Sequence, residues 1–256
     1  ACGALLAAAV YSHPTGRLLP LIPVGHAGAR LLAARRDRQG AADGASAIAR
    51  ALGVAGGVAL IVFAPLGLYF VRHPWQFTSH ASDVSLAAVA ARDHGGSLAE
   101  ALGANVAAVL GMLAVRGDES TFHNLPGLPV FDPLTALAAM LGVGALLGLA
   151  ARRGPRREAA GILLLWLAVM LIPTVLSDRP PNFSRAIAAL PVLVTLPALG
   201  YALAASVVPP APRVRAGLAA LGLAFAAGWT TWHYFGVYAR LDALYAAYDL
   251  DKLDAV

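Results

Sequence analysis

Long apolar segments recur along this chain, and most of them could cross the roughly 30 Å hydrocarbon core of a bilayer. Of the 256 residues, 59% are hydrophobic and 13% are charged, whereas a soluble domain carries about 25% charged residues. The composition therefore excludes an ordinary soluble globule. It predicts an all-α fold, a polytopic bundle of transmembrane helices in a single domain, 1–256. We place the spans at 1–12 (partial), 17–34, 51–71, 133–150, 159–176, 185–207 and 215–234.

The basic residues indicate how this bundle is oriented. Eleven of the 19 Lys and Arg residues lie in or beside three short connections: Arg30, Arg35, Arg36, Arg38, Arg50, Arg152, Arg153, Arg156, Arg157, Arg213 and Arg215. Most of the acidic residues lie on the opposite face. By the positive-inside rule, the arginine-rich connections are cytoplasmic. Topology thus accounts for the net charge of +5, and nucleic acid is not an expected partner.

One apolar segment, 98–115, is nearly long enough to span but does not fit this topology. If it crossed the bilayer, every later span would be inverted and the connection around Arg152 would face outward. Glu100 is also unfavourable in a span, since a carboxylate at a helix centre costs about 2.5–3.5 kcal/mol on insertion scales. We therefore predict one outer loop, 72–132, that rests on the bilayer. It carries amphipathic surface helices at 98–115 and 83–93.

The predicted spans contain few ionisable groups. We expect His26 near the hydrocarbon centre, as a hydrogen-bonded packing residue. Gly144 and Gly148 are four residues apart in an apolar helix, which is typical of close helix packing in membranes. A proton-driven transporter would carry carboxylates or histidines at the midplane, so their scarcity argues against transport.

No metal or catalytic motif is evident in the sequence. Cys2 is the one cysteine, so neither an internal disulfide nor a cysteine-based zinc site is expected. The histidines of the outer loop are irregularly spaced and predict no metal site. We interpret the adjacent Asp118 and Glu119 as solvated. No catalytic residue and no cofactor is assigned.

Polar residues gather instead at three places on the outer rim. The first is the turn from Tyr11 to Arg17, the second contains His123 and Asn124, and the third runs from Asn182 to Arg185. An arginine at headgroup depth either anchors the helix by snorkelling or binds phosphate through its planar fork. The candidate substrate-binding residues are Arg185, Arg17, His123, Asn124, Tyr11 and Asn182.

These three clusters, with the residues around them, resemble a known family. The string RGDESTFHNLPGLPVFDPLTALAAMLG resembles an outer-loop segment of bacterial membrane glycosyltransferases. These are the dolichyl-phosphate-mannose protein mannosyltransferase-like group of the GT-C superfamily. The string WLAVMLIPTVLSDRPPNFSRAIAALP is similar to their later helices, in which Pro-His-x-x-Arg is common. Here Asn182 stands in place of the histidine, and Arg185 keeps the arginine. The turn from Tyr11 to Arg17, followed by Leu-Leu-Pro, is similar to their middle region.

The resemblance implies an inverting enzyme that takes a sugar from a polyprenyl-phosphate donor on the outer leaflet of a bacterial plasma membrane. The implied partners are this donor, membrane lipids and an unknown acceptor. In this superfamily the catalytic carboxylate lies in the first outer loop, and no motif here matches it. We therefore expect the chain to be the C-terminal part of such an enzyme. Whether the full-length enzyme uses a divalent metal is left open.

Two other classes remain as alternatives. A fragment of a transporter or flippase for a lipid-linked substrate predicts broken helices and polar residues at the midplane. A non-catalytic membrane scaffold predicts no cleft at the rim. It also predicts that Arg17, Arg116 and Arg185 lie apart from one another.

Overall fold

The computed structural model describes residues 1–36, 41–76, 86–207 and 211–248. Within these ranges the chain is helical and has no strand, which confirms the predicted all-α fold. The α-helices are α1 Cys2–Ser12, α2 Leu21–Arg36, α3 Ala41–Arg72, α4 Leu86–Asp93, α5 Leu98–Gly111, α6 Pro133–Ala151, α7 Arg156–Val175, α8 Phe183–Ala186, α9 Leu190–Val207, α10 Pro212–Thr231 and α11 Asp242–Ala247. Helices α8 and α9 are joined by a 3₁₀ turn, Ile187–Ala189. A π-helical segment, Trp232–Val237, follows α10.

Four stretches of the described chain are long and apolar enough to cross a membrane: Gly44–Arg72, Pro133–Ala151, Arg156–Val175 and Phe183–Val207. They indicate an integral membrane protein. The predicted spans at 17–34 and 215–234 correspond to α2, with 16 residues, and α10, with 20. Neither is among these four stretches, so their crossing remains a prediction. The partial span at 1–12 corresponds to α1, which has 11 residues.

Helix α5 packs against the C-terminal end of α7 through a buried amide. Asn105 is 2% exposed and donates from Nδ2 to the carbonyls of Val175, at 2.8 Å, and Ser177, at 3.0 Å. Because the last carbonyls of a helix have no partner within it, the amide satisfies groups that need a donor. The helix is shorter than the predicted 98–115. Its companion α4 begins at Leu86, and positions 83–85 of the predicted surface helix lie outside the described residues.

Helices α6 and α9 approach each other closely at two glycines. A Cβ atom on Gly142 would lie 1.9 Å from the carbonyl oxygen of Leu196, and one on Gly200 would lie 1.8 Å from that of Ala138. The two backbones therefore touch directly, as small residues allow in membranes. The predicted packing glycines were wrong, because a Cβ on Gly144 or Gly148 would meet no atom within 4 Å.

The placement of His26 also differs from its prediction. Its Nε2 atom lies 3.0 Å from Oε1 of Glu158, and Nη1 of Arg30 lies 3.6 Å from the same oxygen. Glu158 is in the first turn of α7, next to the arginine-rich connection. His26 thus lies near the end of the bundle that carries the basic residues, and not at its centre.

The topology can be tested by labelling with a membrane-impermeant thiol reagent in a Cys2→Ser background. We expect Glu119→Cys and Arg153→Cys to react from opposite sides of the membrane, because α6 crosses between them. Both wild-type side chains are exposed, so reactivity reports sidedness. Labelling of both positions from the same side would contradict the topology.

The glycine contact predicts the effect of one added methyl group. We expect Gly142→Ala to destabilise the protein by about 1–3 kcal/mol, because α6 and α9 must separate. The control Gly144→Ala adds the same methyl group two residues away, where it is unobstructed, and is expected to be neutral or slightly stabilising. Thermal unfolding in detergent measures both. Equal melting temperatures for the two variants would exclude this contact as a source of stability.

Candidate functional site

The connection between α5 and α6 is held in place by the buried carboxylate of Asp118. This side chain, in a residue only 4% exposed, accepts hydrogen bonds from the backbone N–H of Ser120 at 2.8 Å and of Phe183 at 2.7 Å. Its Oδ2 atom also lies 2.7 Å from Nδ1 of His123. A buried carboxylate needs such donors to offset its lost hydration. The interpretation of Asp118 as a solvated residue was therefore wrong, whereas Glu119 is exposed and pairs with Arg116 at 2.6 Å.

Two glycines let this connection fold back on itself. A Cβ atom on Gly117 would lie 1.9 Å from the carbonyl oxygen of Leu128, so only glycine fits there. Gly127 has a positive φ of 76°, which glycine adopts without strain. Its N–H donates to the carbonyl of Asp118 at 2.9 Å, and its own carbonyl accepts from the N–H of Gly117 at 3.0 Å. The motif His-Asn-Leu-Pro-Gly is thus a closed turn.

The connection ends where Asp132 caps α6. The Oδ1 atom of Asp132 accepts from the backbone N–H groups of Leu134 and Thr135, each at 3.0 Å. Carboxylates are favoured at this position because they satisfy the free N–H groups of the first turn. Proline at the first helical position needs no such partner. Asp-Pro therefore fixes the start of α6 beside the turn.

A cavity of about 480 Å³, here called the amphipathic cavity, lies between this connection, α8 and α9, and the end of α10. Its polar lining comprises His123, Asn124, Asp132, Thr135, Thr230, His233, Tyr234 and Tyr238. Its apolar lining includes Met112, Phe131, Phe183, Ile187, Leu190, Leu193, Ala226 and Trp229. The cavity thus offers hydrogen-bonding groups and a large apolar surface to the same ligand.

A second cavity of about 830 Å³, here called the aromatic cavity, adjoins the first. Its lining includes Phe122, His123, Tyr234, Tyr238, Arg240, Asp242 and Tyr248. Three of these residues, His123, Tyr234 and Tyr238, line both cavities. The two cavities therefore share a wall at the imidazole of His123.

Two tyrosines of the aromatic cavity are tied to the backbone around Phe122. Tyr238 donates to the carbonyl of Thr121 at 2.6 Å, and Tyr248 donates to that of Phe122 at 3.1 Å. Desolvation, assisted by the hydrogen bond and charge of Tyr248, raises the pKa of Tyr238 to about 12. Its hydroxyl therefore stays protonated, and remains a donor, throughout the physiological pH range.

The structure brings two of the six predicted substrate-binding residues, His123 and Asn124, to the wall of the amphipathic cavity. Asn182 instead caps α8, where its Oδ1 atom accepts from the N–H of Arg185 at 3.0 Å and from the hydroxyl of Ser184 at 2.8 Å. The Nη1 atom of Arg185 lies 3.9 Å from Oδ1 of Asp178. Substrate binding by Asn182 and Arg185 remains a prediction.

The other two predicted residues contact α3. The hydroxyl of Tyr11 donates to the carbonyl of Val62 at 3.0 Å and accepts from the N–H of Leu66 at 3.3 Å. It thus bridges two backbone groups beside Pro65, where the helix lacks an N–H donor. The guanidinium of Arg17 lies 5.5 Å from the ring centre of Phe70. These contacts explain both side chains as helix packing, and their substrate contact also remains a prediction.

The arginines named by the scaffold alternative do lie against different partners. Arg17 contacts Phe70, Arg116 pairs with Glu119, and Arg185 faces Asp178. The same alternative predicted no cleft at the rim, yet the amphipathic cavity is lined by the predicted outer loop. The different partners of the three arginines fit the scaffold alternative, whereas the presence of a cavity does not.

Sequence analysis missed the contribution of α10 and its π-helical extension. The amphipathic cavity is lined by Thr230, His233 and Tyr238, together with Trp229 and Tyr234. Trp229 and Tyr234 lie near the end of a predicted span, where aromatic residues are common because they favour the membrane interface. The spacing of Trp229 and His233 was a usable signal, because residues four apart share one helix face. Their ring centres lie 4.3 Å apart, with the ring planes tilted by 37°. Within the described residues, no group of three potential metal ligands is present.

Comparison of the chain with protein-family models, with curated proteins and with solved structures gives no match. The two cavities and the residues that form them are therefore the basis for any functional proposal.

The buried carboxylate predicts a large difference between two adjacent acidic residues. We expect Asp118→Ala to destabilise the protein by about 3 kcal/mol or more, since it leaves several buried donors without an acceptor. The control Glu119→Ala removes an exposed ion pair and should cost about 1 kcal/mol or less. Thermal unfolding and hydrogen exchange across residues 116–131 measure both effects. Comparable losses in the two variants would contradict the proposed role of Asp118.

Proposed function

We propose that this chain binds a polyprenyl-phosphate-linked sugar as part of an inverting membrane glycosyltransferase, with the lipid phosphate in the amphipathic cavity. One observation carries the proposal. The cavity combines polar groups from the outer-loop connection and from Thr230 to Tyr238, here called the polar wall, with apolar groups from the connection, the membrane helix α9 and α10, here called the apolar wall. A lipid-linked sugar phosphate likewise joins a polar head to an apolar chain.

The depth of the cavity supports a lipid ligand. Its walls extend from His123 and Asp132, in or beside the connection, to Leu193 on α9 and Ala226 on α10. Leu193 belongs to a stretch that is apolar enough to cross a membrane. An isoprenoid chain that leaves the bilayer beside Leu193 would therefore place its phosphate among the polar groups.

The polar wall offers neutral and titratable donors for that phosphate. Asn124 donates one N–H of its amide to the carbonyl of Leu128 at 2.8 Å, which leaves its other N–H for a ligand. His233 has its Nδ1 atom 2.8 Å from the carbonyl oxygen of Trp229, so Nε2 is its remaining ring nitrogen. Among the described residues that line this cavity, none is an arginine or a lysine. A contact from Arg185 to the phosphate would require its side chain to leave Asp178.

The finer part of the proposal comes from the sequence resemblance. The turn that forms part of the polar wall is the His-Asn-Leu-Pro-Gly motif, which is similar to an outer-loop motif of the glycosyltransferases named above. In those enzymes an acceptor hydroxyl attacks the anomeric carbon and the lipid phosphate departs. The proposal places this chain's cavity at the departing lipid phosphate and assigns none of its residues as the catalytic base.

Filling the cavity tests the proposal directly. Ala226 lines it, whereas the neighbouring Ala227 is exposed and does not. We expect Ala226→Trp to weaken binding of farnesyl phosphate at least tenfold, because the indole would occupy the space of the isoprenoid. Native mass spectrometry of the detergent-solubilised protein can measure the dissociation constants.

The matched control is Ala227→Trp, which adds the same ring to the same helix and should bind the probe like the wild type. Farnesol and inorganic phosphate separate the two halves of the ligand, and each alone is expected to bind more weakly than farnesyl phosphate. The proposal fails if the wild type does not bind farnesyl phosphate. It fails equally if both tryptophan variants bind it unchanged.

A further inference from the structure

The aromatic cavity has a composition unlike that of a lipid site. Four aromatic rings line it, from Phe122, Tyr234, Tyr238 and Tyr248. The rings of Phe122 and Tyr248 lie 5.5 Å apart at 71°, and those of Tyr234 and Tyr238 lie 5.6 Å apart at 41°. Aromatic rings combine a broad apolar face with a hydrated edge. They therefore suit a ligand that has both C–H faces and hydroxyl groups.

The hydroxyls of these tyrosines are not equivalent. Those of Tyr238 and Tyr248 are committed to backbone carbonyls, which holds both rings against the loop. The hydroxyl of Tyr234 makes no hydrogen bond within the described part of the chain. Because Tyr234 lines both cavities, its hydroxyl is available to a ligand at their boundary.

Among the described residues, the lining of the aromatic cavity also includes one cation and one anion. Arg240 and Asp242 both line it, and the described residues include no ion-pair partner for either. A guanidinium offers only donors and a carboxylate offers only acceptors. Together they can bind the hydroxyls of a polyol, each of which both donates and accepts.

The imidazole of His123 is oriented at the boundary between the two cavities. A carboxylate can only accept, so the 2.7 Å contact with Asp118 places the proton on Nδ1 of His123. In a neutral imidazole, Nε2 is then an acceptor. Nε2 makes no hydrogen bond to any residue that the structure describes. An acceptor in this position favours a hydroxyl over a phosphate oxygen.

We propose that the aromatic cavity binds the saccharide of a lipid-linked ligand, with Nε2 of His123 accepting a hydrogen bond from a saccharide hydroxyl. This inference rests on the proposed function, in which the lipid phosphate occupies the adjoining amphipathic cavity. The C–H face of a pyranose ring packs on the tyrosine rings, and Arg240 and Asp242 bind hydroxyls farther from the phosphate. The volume of about 830 Å³ is within the range of about 300–1,000 Å³ usual for ligand pockets.

A comparison of glycosylated and bare probes tests this assignment. The probes are farnesyl phosphate, farnesyl-phosphate-mannose and farnesyl-phosphate-glucose, and the readout is the ratio of dissociation constants for bare and glycosylated forms. We expect at least one glycosylated probe to bind the wild-type protein about tenfold more tightly than farnesyl phosphate. The variants His123→Gln and Tyr234→Ala are expected to bring this ratio close to one. Because both residues also line the amphipathic cavity, the readout is the ratio within each variant and not the affinity for farnesyl phosphate alone.

The matched control is Trp232→Ala, which removes another aromatic ring of the same π-helical segment. Trp232 is 66% exposed and lines neither cavity, so the variant should keep the wild-type ratio. Because Tyr234→Ala leaves Asp118 and its partners intact, it tests the site even if His123→Gln fails to fold.

The outcomes separate this inference from the proposed function. Equal affinity of the wild type for all three probes would overturn the saccharide site and leave the lipid-phosphate site in place. Binding of the glycosylated probes without any binding of farnesyl phosphate would contradict the lipid-phosphate site and retain the saccharide site. Loss of the preference in Trp232→Ala as well as Tyr234→Ala would also overturn the inference.

Discussion

The candidate site of this protein depends on one buried charge, the carboxylate of Asp118. Removing a carboxylate from water is costly, and the cost is offset only where donors surround it. Here the donors come from Ser120 and His123 in the same connection and from Phe183 at the start of α8. One side chain thus joins the turn before α6 to the helix that continues into α9, and the amphipathic cavity lies between them.

A second constraint positions the helices on which this loop rests. Gly142 and Gly200 allow α6 and α9 to approach until the backbone of each meets a glycine of the other. In a membrane, where lipid chains are as apolar as the side chains, such close packing is a main source of helix association. The start of α6 is fixed beside the loop by Asp132, and the start of α8 is fixed by Asn182. The capped helix starts and the glycine contact together define the apolar wall.

Local signals in the sequence predicted most of the helices, because apolar length and the distribution of arginine are properties of single segments. Contacts between distant segments left no such signal. Gly144 and Gly148 have the expected spacing, yet Gly142 makes the contact with α9. The position of the partner helix determines which face of α6 is packed, and the sequence of α6 alone does not show that position. For the same reason, nothing adjacent in sequence showed that Asp118 meets Phe183.

Among the site residues, too, those in a local motif were predicted and those that depend on contacts between distant segments were not. His123 and Asn124 were predicted from a local motif, and the structure places them on the cavity wall. Tyr11 and Arg17 were chosen for headgroup depth and for the resemblance of their turn, and neither determines which neighbour a side chain meets. The side of the cavity opposite His123 is formed by residues from Trp229 to Tyr238, in α10 and the segments that follow it. Their aromatic side chains are as typical of a membrane interface as of a binding site. The contact of Tyr238 with the carbonyl of Thr121 shows that this segment packs against the connection, and the sequence did not predict that contact.

Around Asp118, the hydrogen bonds that stabilise the connection are largely independent of the side chain that lines the cavities. Two of its hydrogen bonds come from backbone N–H groups, which no substitution of a neighbouring side chain removes. The third comes from His123, whose side chain is 27% exposed, against 5% for Asp118. Replacing His123 therefore leaves the carboxylate with two donors and partial access to water, whereas replacing Asp118 removes the acceptor for all three. The loop can tolerate changes at His123, which lines both cavities, because Asp118 behind it holds the backbone in place.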